Sequence, residues 1–277
     1  MSKSDFSFTA CDILETLESL SDERQRRVLM RFFKTGVGDY GEGDEFLGLR
    51  VPQVRLVVRE ARLKVSFEEI EKLLDSAWHE ARLCGLLLLV EEMKAALPSP
   101  RRDAEETARR REKIVRFYLA HTRAANNWDL VDLSAPKILG QWLLTPAPGG
   151  MRPERSVLDK LAGSENLWEQ RIAIVSTWKI IREGEFNDTL RLAETLLEHP
   201  HDLMHKAVGW MLREVGKKSL PVLREFLEKH SARMMTNATS VSAVIRTPTT
   251  PSATTHSSSN ASGMRCCSRT IFVTIRH

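Results

Sequence analysis

The sequence has little that would tie a chain together covalently or carry it into a membrane. It holds four cysteines, Cys11, Cys84, Cys266 and Cys267. Their positions show neither metal-ligand spacing nor a disulfide framework, which fits a reducing cytoplasm. No apolar run approaches the roughly 20 residues of a membrane-spanning helix; Leu86–Val90, among the most apolar stretches, is far too short. The early acids Asp5, Asp12 and Glu15, without a hydrophobic leader, weigh against export. Period-two alternation is missing over any useful length, so no strand is expected. Among the histidines no Ser/His/Asp or Cys/His arrangement can be argued from spacing. Only His201 and His205 stand at i, i+4, beside Asp202 and His199. Surface histidines around a turn explain them better than a metal site does. Neither metal nor organic cofactor is expected.

A global excess of positive charge is missing too. The formal charge is +4, but residues 231–277 contain Arg233, Arg246, Arg265, Arg269 and Arg276 and no Asp, Glu or Lys. That segment alone is +5, which leaves residues 1–230 at −1. Any nucleic-acid footprint on the body must therefore be local. The segment after residue 230 is also rich in Ser and Thr and has no Leu. By composition it reads as disordered or loosely ordered, and the abruptness of the change suggests an out-of-frame terminus.

What is present is helical periodicity. Thr9–Leu20 and Asp22–Lys34 read as a helix pair divided at Ser21, which can N-cap the second. The Gly-rich stretch Thr35–Arg50 has no Gly-Lys-Ser/Thr sequence after it and no strand before it. Asp39, Glu42 and Asp44 would repel phosphate, so it reads as a connecting loop. Helices follow over Val51–Lys64, with Pro52 near its start, Ser66–Ser76, with a capping box to Glu69, Trp78–Leu97 and Asp103–Thr122. The mixed-sign run RRDAEETARRREK in the last of these reads as a solvated face. Asn126–Leu144, Pro153–Ala162, Asn166–Arg182, Glu185–Glu198, Asp202–Val215 and Ser219–His230 complete an all-α body over residues 1–230.

The helices repeat. Trp128, Asp132, Ala135, Leu139 and Trp142 form one helical stripe. It superimposes, shifted by 39 residues, on Leu167, Arg171, Ile174, Trp178 and Ile181. A weaker copy, Trp78, Arg82, Gly85 and Leu89, lies 50 residues before the first. Helix pairs recurring at about 40 residues are the signature of a HEAT-type solenoid, whose concave surface suits a long partner such as DNA.

In that stripe Asp132 is a carboxylate on an apolar face, which is costly unless paired or used. Equivalent helices of neighbouring repeats lie side by side, so Arg171 should be within reach of it. From spacing alone, a structural ion pair stitching two repeats is the favoured reading. Asp129, in the first turn, suits the helix dipole. Pro136 cannot donate to the Asp132 carbonyl, so a kink is expected there. In His205–Val215 the core stripe is Met204, Val208, Met211 and Val215; Trp210 is off it, aligned with Lys206 and Arg213. Packing is the plainer role for such a Trp, but the flanking cations favour phosphate binding.

NNWDLVD, SENLWEQRIAIV and HKAVGWMLRE, together with GDEFLGLRVPQVR, resemble the signature segments of the AlkD-type DNA glycosylases, the HEAT-like alkylpurine repair enzymes of bacteria. The resemblance covers about residues 9–230 and lapses after HSARM. It implies hydrolysis of the N-glycosidic bond of cationic alkylated purines such as 7-methylguanine and 3-methyladenine in base-excision repair. It further implies that Asp132 is the catalytic carboxylate, that Trp128 and Trp210 are aromatic walls, and that Arg171 lies in the same cleft. Lys206, Arg213 and Arg50 would hold phosphates. The expected partner is double-stranded DNA with alkylated bases, met by a cytoplasmic monomer at the nucleoid and not at a membrane. The rival reading is a non-catalytic HEAT scaffold that binds nucleic acid or protein.

Overall fold

Capping side chains cut the sequence into helices. Thr9, Asp22, Ser66, Asp103, Asn127 and Asn166 each accept a backbone N–H at a helix start, which satisfies donors that the helix itself leaves orphaned. The computed structural model describes residues 7–235, and among these every regular element is helical. In chain order these are α1 (Ala10–Ser19), α2 (Glu23–Phe32), α3 (Val51–Ala61), α4 (Phe67–Leu74), α5 (His79–Ala95), α6 (Ala104–Ala120), α7 (Trp128–Ser134), α8 (Ser156–Ala162), α9 (Leu167–Arg182), α10 (Asn187–Leu196), α11 (Asp202–Lys218) and α12 (Leu220–Met235). No helix among the described residues is long and apolar enough to cross a membrane.

The packing follows a repeat. Helices α3, α5, α7, α9 and α11 each lie against the next in one row. A second set backs them: α4 on α5, α8 on α9, and α10 and α12 on α11. Ile70, Leu73, Leu89, Ile138, Ile174 and Met211 are buried between the rows. Trp128 and Leu167, equated by the 39-residue shift, are the first residues of α7 and α9. The protein is an all-α helical-repeat structure.

Local differences from the sequence reading have physical causes. Asp22, not Ser21, caps α2, its carboxylate accepting from Gln25 N–H at 2.9 Å. Ser66 accepts from Glu69 N–H, but Glu69 does not return to close a capping box; it reaches across to Ala10 N–H at 2.7 Å and so ties α4 to the start of α1. Arg111, within the run expected to be solvated, is buried, and its guanidinium donates to the carbonyls of Ala96 and Pro146. The last helix continues to Met235, past the boundary expected at 230. The remainder of the proposed tail lies outside the described residues.

The largest departure is in Asn126–Leu144. Instead of one helix, α7 stops at Ser134 and a π-turn spans Pro136–Gly140, closed by Gly140 N–H on the Ala135 carbonyl at 3.0 Å. Pro136 has no N–H to continue the α ladder, and one wider turn absorbs the defect. This turn packs directly on α9. A Cβ on Gly140 would sit 2.3 Å from the Ser176 carbonyl oxygen, so only glycine permits the approach. Gly140→Ala should therefore force the π-turn and α9 apart. The expected loss in thermal or denaturant unfolding is about 1–3 kcal/mol, the usual range for overpacking, with helix content unchanged by circular dichroism.

Candidate active site

Three elements converge around the start of α7: its neighbour α9, the N-terminal turn of α11, and the Gly-rich loop before α3. Asn127 opens α7 by accepting Trp128 N–H at 2.9 Å. One turn later Asp132 faces α9. There Arg171 holds it in a two-pronged pair, Nε to Oδ1 at 3.0 Å and Nη2 to Oδ2 at 2.9 Å. The remaining guanidinium nitrogen, Nη1, donates to the Leu203 carbonyl at 2.7 Å, so one side chain joins α7, α9 and α11. The pair is nearly dry, with side-chain exposures of 6% for Arg171 and 13% for Asp132. Burial pushes the Asp132 carboxyl above its ordinary value, Arg171 pulls it back, and Asp129 adds to the rise. The exposure that Asp132 retains is what a reacting atom would need.

Trp128 is half-buried and lies face to face with Phe33 (5.3 Å between centroids) and edge-on to Phe32 (5.8 Å). Phe33 stacks on Phe46 at 5.1 Å, and Phe46 on His79 at 4.4 Å. Trp128 is thus the outer end of an aromatic column whose inner end is a histidine.

That histidine is the centre of a buried polar cluster. His79 Nδ1 meets Asp44 at 2.9 Å and Nε2 meets Asp129 at 3.0 Å. Asp44 also accepts from Asn127 Nδ2 at 3.1 Å and pairs with Arg82, whose other terminal nitrogen donates to the carbonyls of Ser76 and Ala77. Asp129 is therefore more than the dipole partner it was expected to be; it is one of two carboxylates bracketing an imidazole. Burial opposes charge on His79, but Asp129 and Asp44 outweigh it and hold its pKa up to about 9. Protonated, the ring balances the cluster: two carboxylates against a guanidinium and an imidazolium.

The loop expected to be a passive connection is anchored at two places and reaches the candidate site. Asp44 pins one end of it, and beside it Glu80 of α5 accepts three backbone N–H groups, from Leu47, Gly48 and Leu49, at 2.9–3.0 Å. The pinned loop extends Tyr40 to the site. The Tyr40 hydroxyl lies near the Trp128 indole, and its ring lies edge-on to Trp168 (6.3 Å) and His201 (6.4 Å). Burial raises the Tyr40 phenol, with Asp129 and Asp39 adding to the rise; the nearby Trp128 indole N–H and Arg171 act in the opposite direction. Tyr40, Asp44, His79 and Trp168 were missed by sequence reasoning. The one available signal was that His79 adjoins Arg82, a member of the repeated stripe.

The other sequence-derived residues lie further out. Trp210 is half-buried on α11, packed against the core. It shares a helix face with Leu203, whose carbonyl Arg171 holds. The rings that meet Trp128 are Phe32 and Phe33. Lys206 is exposed and paired with Asp202 at 2.6 Å, and Arg213 is half-buried on the same helix. Arg50 is exposed at the start of α3 and donates to Gln25 of α2 at 3.2 Å. His201 caps α11, its Nδ1 accepting from Leu203 N–H, and His199 accepts from His201 N–H. Among the described residues, no group of three or more His, Cys, Asp or Glu side chains is placed to hold a metal.

The buried imidazolium makes a pH prediction. Its folded pKa is raised above the ordinary 6.5 to about 9. Its contribution to stability is thus complete below about pH 6.5 and is lost as pH rises through about 9. Thermal unfolding followed between pH 6 and 10 should show that decline, of order 3 kcal/mol at most. In His79→Gln the variant should be less stable at pH 6 and nearly flat across the window. A wild-type profile without the decline would mean that the ring is neutral in the fold.

A family profile described as DNA alkylation repair enzyme matches residues 13–245. Among solved structures, the protein described as "Predicted DNA alkylation repair enzyme from Enterococcus faecalis" superimposes with a TM-score of 0.51 at 12% identity, covering 82% of this chain and 95% of that one. At that identity the likeness speaks for the fold. No curated protein matches by sequence. With a family match running through all the helices that build the site, the chain belongs to the DNA alkylation repair enzymes.

Proposed function

We propose that this protein is a DNA glycosylase that hydrolyses the N-glycosidic bond of cationic alkylated purines, such as 7-methylguanine and 3-methyladenine, in double-stranded DNA. It would act as a cytoplasmic monomer in base-excision repair, without metal or organic cofactor. The observation that carries this reading is Asp132: a carboxylate oriented on both oxygens by Arg171, 13% exposed and one turn from the aromatic Trp128. A purine alkylated on a ring nitrogen already carries positive charge and leaves as a neutral base, so no strong general acid is needed. The barrier lies in the oxocarbenium-like sugar formed as the C1′–N bond breaks. A fixed carboxylate stabilises that charge without reorganising, or aligns the water whose oxygen bonds to C1′ while its proton passes to solvent or to Asp132. The Trp128 face favours the same positive charge by cation–π attraction. Lys206 and Arg213 on α11, and Arg50 on α3, would take phosphates.

The pair itself favours a second reading. Arg171 fully occupies both Asp132 oxygens and anchors α11, which is what a structural stitch in a non-catalytic scaffold would do. Base release from methylated duplex DNA separates the two. The wild type should release 7-methylguanine and 3-methyladenine, and Asp132→Asn, which keeps the shape but not the charge, should lose about 100-fold or more in single-turnover rate. The wild-type rate should fall on acidification with a midpoint above the ordinary aspartate value, because Asp132 is held up by burial. No release above background by the wild type defeats the enzyme reading; a folded, equally active Asp132→Asn defeats the role of Asp132.

A further inference from the structure

Helix α2 is rich in cations and poor in buried contacts. Its ten residues contain four arginines and one acid, and none of them is fully buried. Arg24 stands in the first turn, where a cation opposes the helix dipole. Arg24, Arg27 and Arg31 follow one another at i+3 and i+4 spacing, so like charges crowd one face. Val28 and Phe32 lie on that face too, 55% and 54% exposed. Like charges crowded with exposed apolar side chains on one face mark a surface with a use.

The contrast with α6 sharpens this. Its cations are met by carboxylates: Arg109 by Glu105, Arg110 by Glu92 and Arg116 by Glu112. On α2, Glu23 serves both Arg26 and Arg27, while Arg24 and Arg31 have no carboxylate partner among the described residues. The helix is also placed between two parts of the site. Arg50 bonds Gln25 near its start, and at its end Phe32 meets Trp128 edge-on, with Lys34 over the Tyr40 ring at 5.9 Å.

We propose that α2 is a DNA-contacting element: Arg24, Arg27 and Arg31 engage phosphates of one strand, and Val28 and Phe32 lie against its sugars as the duplex passes Trp128. Arg24 and Arg31 lie about 10 Å apart along the helix, the axial rise of about three phosphates of one strand at about 3.4 Å of duplex axis each. The proposal rests on the reading that duplex DNA is the substrate.

The test is binding of a fluorescein-labelled, undamaged DNA duplex by anisotropy across a range of salt concentrations. Each phosphate contact contributes about 0.9 to the slope of log K against log salt. Arg24→Gln/Arg31→Gln should lower that slope by about two, and the single variant Arg27→Gln by about one. Phe32→Ala should weaken binding at every salt concentration with the slope unchanged. Arg109→Gln/Arg116→Gln on α6 is the control and should bind as the wild type does. Thermal unfolding of each variant shows which are folded, and the single substitutions keep the test open should the double fail to fold. An unchanged slope in the α2 variants, or an equal loss in the α6 control, overturns the proposal. If the wild type meanwhile releases alkylated bases, the glycosylase reading stands alone. A wild type that binds duplex with an α2-dependent slope but releases no base upholds the DNA-contacting role and defeats the enzyme reading. A wild type that does not bind duplex overturns the proposal, and base release then decides the glycosylase reading separately.

Discussion

One guanidinium holds the site in register. Arg171 spends three of its nitrogens on two other helices, both oxygens of Asp132 on α7 and the Leu203 carbonyl opening α11. In a stack of repeats each helix touches mainly its neighbours, so few single groups span three in a row. Arginine suits the task because its fork is planar and always charged, and matches a carboxylate on two edges. Breaking either end would leave a charge buried without a partner, which costs far more than the net worth of the pair. The same bonds that could stitch the repeats also aim the carboxylate, so structural and chemical roles are not alternatives in geometry; they differ only in whether Asp132 reaches a reacting sugar.

A second, independent constraint comes from charge balance around His79. Asp44 and Asp129 lie far apart in sequence and on different elements, yet both close on one ring, with Arg82 completing the balance. This fastens the Gly-rich loop and the first turn of α7 to α5. The loop then holds Tyr40 beside Trp128, and Glu80 secures its other strand of backbone. The aromatic column from His79 through Phe46 and Phe33 transmits the same constraint to Trp128 by packing. The site is therefore supported from both sides, by Arg171 towards α11 and by the His79 cluster towards α5.

Much of this was legible before folding. Helical periodicity and caps located nearly every helix to within a few residues, and the 39-residue shift paired Asp132 with Arg171. The proline rule located the break at Pro136, though not its π-turn form. What was misread shares one cause. Sequence spacing reads Asp44 as a loop acid, Asp129 as a dipole partner and Arg111 as part of a solvated run, while each has its decisive contacts on another element, 15 to 83 residues away. Tyr40 sits in a loop, where no periodicity marks a residue as facing anything.

By itself the sequence determined the all-α class, the repeat, the helix starts and the pairing of Asp132 with Arg171. These depend on spacing along one chain, which local backbone geometry converts directly into faces and registers. Only the tertiary structure decided that His79 is clamped between two carboxylates, that the Gly-rich loop delivers Tyr40 to Trp128, and that α2 lies between Arg50 and Trp128. Those contacts join segments that no period relates, and buried charges find partners by proximity in space, which the order of residues does not encode locally.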